Sequence, residues 1–265
     1  MNNKSQKGSM TTVNGTKINQ LLQSQPAGIV MQSSWLANLG YSISLQKHYK
    51  KSNWLTSVGN GAVVRTGAKV GYKGAIYSLQ QHSNQTVHPG GRTAFGLLGK
   101  GHYLEMVTKQ VTVFGGIGEK LPNWFTNHDW SVKINYHQTS LLPSEAGLIE
   151  IDVDQFTLLI SAETRAMMEC LHLAPEKQDL IECYEIMEGL TTLPPTEVQA
   201  LLEQCRSVKV KRLFLYMAEK AEHKWFNYLK PEKIDLGIGK RSIGNGGVFI
   251  KKYGIAIPEE LYKYV

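Results

Sequence analysis

Residues 33–65 read SSWLANLGYSISLQKHYKKSNWLTSVGNGAVVR, and the order of signals in this stretch decides the fold of the front of the chain. Ser33 fits the N-cap of a short helix over 34–39, and Gly40 stands where a helix C-terminus favours a residue without a Cβ. After a tight turn, Ser42 caps a further helix over 43–51, with Leu45, His48, Tyr49 and Ser52 recurring at i, i+3, i+4 and i+7. Residues 54–58 and 62–65 are strand-like runs joined through Gly59-Asn60-Gly61, and Asn-Gly is the strongest short hairpin signal. Upstream, Ile18, Leu21 and Leu22 mark a helix over 16–22 that Pro26 and Gly28 end. Helix, helix, tight turn, helix, hairpin is the order of a winged helix-turn-helix.

The charge distribution around this module has an unusual shape. The first acidic residue of the chain is Glu105; residues 1–104 carry eleven Lys or Arg and no carboxylate, a local charge of +11. The remainder carries −4, for a net charge of +7. A surface without carboxylates suits a polyanion, since every acid would repel phosphate and oppose the counterion release that drives binding. Residues 1–13 are polar, with Lys4 and Lys7, and read as a flexible basic arm.

Composition narrows the class. Apolar residues at 42% and charged residues at 19% are ordinary for a globular chain, and 265 residues predict two domains. No run approaches the roughly 18 apolar residues of a membrane span, and the N-terminus lacks the apolar core of a secretory signal. Cys170, Cys183 and Cys205 fit neither a disulfide framework nor a zinc knuckle, so the expectation is a reducing cytoplasm.

Behind the hairpin, residues 73–80 read as one more helix, and the polar Gly/Pro-bearing stretch 82–91 is the best candidate boundary. We therefore expect a winged-helix domain over 1–88 and an α+β domain over 89–265. In the second, residues 107–114, 131–137, 148–153 and 156–160 read as strands. Helices follow over 162–171, 178–187, 196–204 and 208–221, with a closing strand in 248–257.

The candidate binding residues centre on the 43–51 helix. With Leu45 and Tyr49 turned inward, Ser44, Gln46, Lys47, Lys50 and Lys51 face outward. Gln suits an adenine edge, Lys guanine or phosphate, and Ser several bases. Arg65 and Lys69, near the end of the hairpin, are further candidates for groove or backbone contact. A second basic run, Arg206, Lys209, Lys211 and Arg212, forms a drifting helical stripe that either touches nucleic acid or is a solvated face. Gly90-Gly91-Arg92-Thr93 has the form of an anion nest, or of a helix start capped by Thr93. Gly237-Ile238-Gly239-Lys240-Arg241 lacks the spacing of a phosphate loop, because position 234 is Ile and Arg follows Lys240. No pair of the eight histidines has ligand spacing, no nucleophile elbow is present, and Asp152 and Asp154 are explained by strand alternation, so neither a metal, a cofactor nor an enzyme is expected.

Several segments together resemble the AbiEi-type antitoxins of abortive-infection, type IV toxin–antitoxin pairs. These are the stretch from Gly28 to Arg65 and, in the same order, VHPGGRTAFGLLG, VTVFGGIGEKLPNWFTNHDW, MEGLTTLPPTEVQALLEQCRSVKVKRLFLYMAE and KIDLGIGKR. The resemblance implies an N-terminal domain that represses its own operon at promoter inverted repeats, and a C-terminal domain that counters a nucleotidyltransferase-like toxin from an adjacent gene. Neutralisation of this type requires no stable complex. The resemblance places the DNA role on Ser44, Gln46, Lys47, Lys50, Lys51 and Arg65, and gives no role to Arg206–Arg212 or to Lys240 and Arg241. Relatives often carry Arg just after the N-cap of the recognition helix where this chain has Ile43, so base preference is expected to differ. The alternative reading is an RNA- or toxin-binding protein whose N-terminal module is a docking surface; a ligand-sensing regulator is also open.

Overall fold

The computed structural model describes residues 16–100, 110–244 and 247–264. The basic arm over 1–13 lies outside them. Helix α1 (Lys17–Ser24), α2 (Ser33–Asn38) and α3 (Ile43–Lys51) turn Ile18, Leu21, Leu36 and Tyr49 onto Met31, Tyr41, Leu55 and Val63, which together form a first core. Strand β1 (Met31–Gln32) pairs with β3 (Ala62–Arg65), which pairs in turn with β2 (Leu55–Ser57), so the expected hairpin is a three-stranded antiparallel sheet in the order β1-β3-β2. That third strand corrects the expected cap: Gln32, not Ser33, is the N-cap of α2, and the Ser33 amide bonds the Gly61 carbonyl at 2.8 Å.

β3 is the centre of the sheet, and strand alternation sends its side chains to two different places. Val63 enters the first core, while Ala62 and Val64 enter a second with Val58, Ile76, Leu79, Val113, Trp124, Phe125, Leu158 and Ile160. This second core lies under helix α4 (Tyr72–Ser83), the short α6 (Asn123–Thr126) and the strands β5 (Gln110–Gly115) and β8 (Phe156–Ser161). This wing has no free face at its central strand, while Thr56 and Ser57 of β2 stay exposed. Its tip is also docked, since a Cβ built on Gly59, which has φ +61°, meets the Trp124 Cα at 3.1 Å. The expected boundary after residue 88 falls within strand β4 (His88–Pro89), which pairs with β5 in the sheet β4-β5-β6, where β6 is Lys133–Gln138.

Helix α4 is held to the helix-turn-helix by His82. Its ring stacks on Trp35 with centroids 3.8 Å apart, and its Nδ1 lies 2.8 Å from Ser78 Oγ. Burial lowers its pKa to about 4. A histidine depressed in the folded state contributes stability that is fully present above its unfolded value near 6.5 and is lost as pH falls toward 4. The melting temperature is expected to fall across this window, and the fall to be shallower in His82→Gln. Equal slopes in the two proteins would discard this assignment.

The second half adds the hairpin of β7 (Leu148–Val153) with β8, and then the helices α7 (Glu163–Leu173), α8 (Leu180–Glu188), α9 (Pro195–Gln204) and α10 (Val208–Lys220). They enclose a third core in which every residue from Val210 to Ala218 is buried, so α10 is the central helix rather than an amphipathic surface one. The expected closing strand divides into β10 (Val248–Ile250) and β11 (Ile255–Ile257), which flanks β9 (Arg241–Ser242) in parallel. The front and back halves are fastened through Glu169 of α7. Its buried carboxylate accepts from His88 Nε2 (3.1 Å), the Gly91 amide (2.9 Å), Ser161 Oγ (2.7 Å) and Arg165 Nε (3.0 Å).

Candidate nucleic-acid interface

The surface of α3 follows from a short list of local bonds. Gly40, at φ +85°, turns the chain out of α2, and Lys17 Nζ donates to its carbonyl at 2.8 Å. Ser42 Oγ accepts from the Leu45 amide at 3.3 Å, so the expected cap is present. Tyr49 is buried and Leu45 half-buried, whereas Ser44, Lys47, Lys50 and Lys51 are exposed. Spacings of three and four bring Ser44, Lys47 and Lys51, and also Ile43, Lys47 and Lys50, onto neighbouring stripes of one outer face. His48, Lys50 and Lys51 occupy the last turn, where cations are favoured by the helix dipole.

Gln46 requires a correction. It is 3% exposed, and its Nε2 donates to the Ser33 carbonyl (2.9 Å) and the Tyr41 carbonyl (2.7 Å), so it braces the turn between α2 and α3 rather than facing outward. The 3.6-residue period places Gln46 beyond Tyr49, about 100° from Leu45 at the edge of the inward face, and the Ser33 and Tyr41 carbonyls decide that it goes in. Gln46→Ala is expected to cost about 1–3 kcal/mol by removing both bonds and leaving the Tyr41 carbonyl unpaired. A drop in the urea midpoint with unchanged DNA affinity of the folded fraction is the expected pair of results; loss of affinity alone would restore a reading role. Ile43, which is not among the candidate binding residues although it stands where relatives often carry Arg, is 51% exposed at the first turn.

Arg65 is exposed at the base of the hairpin, opposite Leu55, next to the turn where the Trp54 amide bonds the Tyr49 carbonyl. It therefore lies beside the C-terminal end of α3 and not at a wing tip. Lys69 is exposed elsewhere, lining a hollow of about 400 Å³ with Lys73, Asp152 and Asp154.

Family models match nearly the whole chain in two pieces. Residues 14–106 match the AbiEi antitoxin N-terminal domain of transcriptional regulators, and residues 108–258 match the transcriptional regulator, AbiEi antitoxin, of type IV toxin–antitoxin systems. The chain belongs to the AbiEi antitoxin family. Its fold is similar to the crystal structure of the RV2827C protein from Mycobacterium tuberculosis, with a TM-score of 0.58 at 12% identity, over 91% of this chain and 89% of that one. None of the curated proteins matches the chain.

In this AbiEi antitoxin the secondary basic candidates disperse. Arg206 is exposed but lies between α9 and α10, so the expected stripe is not on one helix. Lys211 and Arg212 are 4% and 3% exposed, inside the third core's rim. Lys209 Nζ donates to the His172 carbonyl at 3.0 Å and to that of Ala174, and burial lowers its pKa. Arg92 is ion-paired with Glu182 at 2.9 Å. The Gly90-Gly91 nest does hold an anion, but an internal one: the Glu169 carboxylate fills it, and Thr93 Oγ1 accepts from the Thr112 amide instead of capping α5 (Arg92–Leu97). Lys240 and Arg241 remain exposed. The three free thiols, Cys170, Cys183 and Cys205, are buried, and burial raises the pKa of each. Among the described residues no group of three or more His, Cys, Asp or Glu could hold a metal ion, and no helix is long and apolar enough to cross a membrane.

Proposed function

We propose that this antitoxin represses its own operon by placing α3 in the major groove of inverted repeats in its promoter, and that it counters a nucleotidyltransferase-like toxin encoded by an adjacent gene without forming a stable complex. The observation that carries the DNA half is the outer face of α3. Lys47, Lys50 and Lys51 stand exposed there with Ser44, in a 104-residue block that contains no carboxylate to repel phosphate.

Within this reading Lys47, Lys50, Lys51 and Arg65 neutralise backbone phosphates or reach guanine, Ser44 bonds a base edge or a phosphate, and Ile43 offers an apolar contact to a thymine methyl. Lys69 is at most an outlying backbone contact. The DNA role belongs to residues 1–88 and the antitoxin role to 89–265. Gel shifts of the upstream region against random DNA test the first half; equal affinity for both would end the autorepressor reading. Growth rescue on co-expression with the adjacent gene product tests the second. A stable complex surviving size exclusion would favour a docking protein instead.

A further inference from the structure

A hollow of about 560 Å³ opens beside the second core, between the 120–122 loop, α6 with the turn after it, and β6. Alternation along β6 turns Ile134 and Tyr136 into it, and Phe125 and Trp130 complete an apolar floor. The floor is fixed before anything binds. Trp130 Nε1 donates to the Phe125 carbonyl at 2.7 Å, and the Tyr136 hydroxyl to the Glu119 carbonyl at 3.1 Å. Lys120, Asn123 and His128 stand exposed at the rim, and no Asp or Glu lines the hollow among the described residues. The carboxylates next in sequence are engaged elsewhere: Glu119 accepts from the Thr86 amide (2.8 Å) and the Gly116 amide (3.0 Å), and Asp129 from the Ser131 amide (2.8 Å). Lys120 has no carboxylate partner among the described residues.

The rings around the hollow also form a ladder toward the wing. His128 lies 4.3 Å from Trp130, Trp130 5.6 Å from Phe125, and Phe125 5.8 Å from Trp124, centroid to centroid. Trp124 is the residue against which Gly59 of the hairpin turn is seated. We infer that the hollow binds a small aromatic carboxylate, and that its occupancy alters DNA binding through this ladder. A mostly apolar hollow of this size with a few polar groups at its mouth accommodates one metabolite-sized molecule. The aromatic and aliphatic walls favour a flat ring, and the lone lysine favours a single negative charge. A phosphate monoester fits less well, because its two charges would meet one lysine and no arginine. A ring inserted beside Trp130 and Phe125 presses on close-packed rings, so the displacement reaches Trp124 and the seat of Gly59. The pocket stands by itself; the coupling rests on the DNA half of the proposed function.

The test titrates 2-naphthoate into the full chain and follows binding by calorimetry, with one site per chain as the expected result. Lys120→Gln changes an exposed side chain, so folding is retained. It is expected to weaken 2-naphthoate about tenfold or more while leaving the neutral 2-naphthamide within about twofold. Saturating 2-naphthoate is expected to move promoter affinity in gel shifts by about threefold or more. Promoter DNA must then change the affinity for 2-naphthoate by the same factor, because coupling is reciprocal. No binding up to about 1 mM, or equal affinities in the parent and Lys120→Gln, overturns the site. Binding that leaves promoter affinity unchanged overturns the coupling. Absence of promoter binding by the unliganded chain would instead overturn the repressor reading, while calorimetry still decides the pocket.

Discussion

Glu169→Ala is expected to lower the unfolding free energy by about 3–5 kcal/mol, the cost of removing one partner from a buried, hydrogen-bonded ion pair. Four donors converge on this carboxylate: His88 from β4, the Gly91 amide at the start of α5, Ser161 at the end of β8, and Arg165 one turn earlier on α7. Its removal leaves Arg165 with the carbonyls of Pro143, Ser144 and Ala146 but without a counter-charge. Burial by itself would raise the pKa of Glu169; the hydrogen bond and charge of His88, with Arg165 and Ser161, outweigh it and hold the group below the ordinary carboxylate value of 4.5. A depressed acid contributes stability that is complete above its unfolded pKa and is lost as pH falls through the lower folded value. Glu169→Gln keeps the shape and loses the charge, so it is expected to be less damaging at neutral pH and to flatten the acid limb of the stability curve. Guanidinium denaturation at pH 7 and pH 4 measures both. A midpoint unchanged by Glu169→Ala would show that the carboxylate does not fasten the two halves.

The double variant Lys47→Ala/Lys50→Ala is expected to weaken promoter binding about 10- to 100-fold at 0.15 M salt while leaving the melting temperature within a degree or two, because both side chains are exposed. The salt dependence carries the sharper signal. About five phosphate contacts give a slope of roughly −4 to −5 in log K against log salt, and deleting two lowers its magnitude by about 2. Weakening on promoter and random DNA alike would assign the two lysines to phosphates, while a larger loss on the promoter would assign them to bases. If affinity and slope both stay at the parental values, α3 is not the DNA-binding element.

The helices and the hairpin of the front third were legible from local marks, whereas the two-residue β1 carries none. Ser42 caps α3, Gly40 bends the chain before it, and Asn60-Gly61 turns the hairpin. The family was legible because segments such as VHPGGRTAFGLLG and KIDLGIGKR are not generic to the winged helix. Side-chain destinations were less so. Gln46 reads as a base-contacting residue by type, and Arg212 as part of a basic stripe; Gln46 is instead buried against carbonyls 13 and 5 residues earlier, and Arg212 against carbonyls 24 and 27 residues later.

By itself the sequence determined the order of elements, the absence of acid from residues 1–104 and the outward stripe of lysines, since capping, periodicity and charge are properties of neighbours along the chain. Only the tertiary structure decided that β3 is buried on both faces with the hairpin turn against Trp124, that Glu169 fills the Gly90-Gly91 nest, and that Arg212 shapes the loop bearing Ile238. Those outcomes depend on which unpaired carbonyl, amide or apolar face a side chain meets across the fold, and no local pattern encodes a partner 25 to 80 residues away.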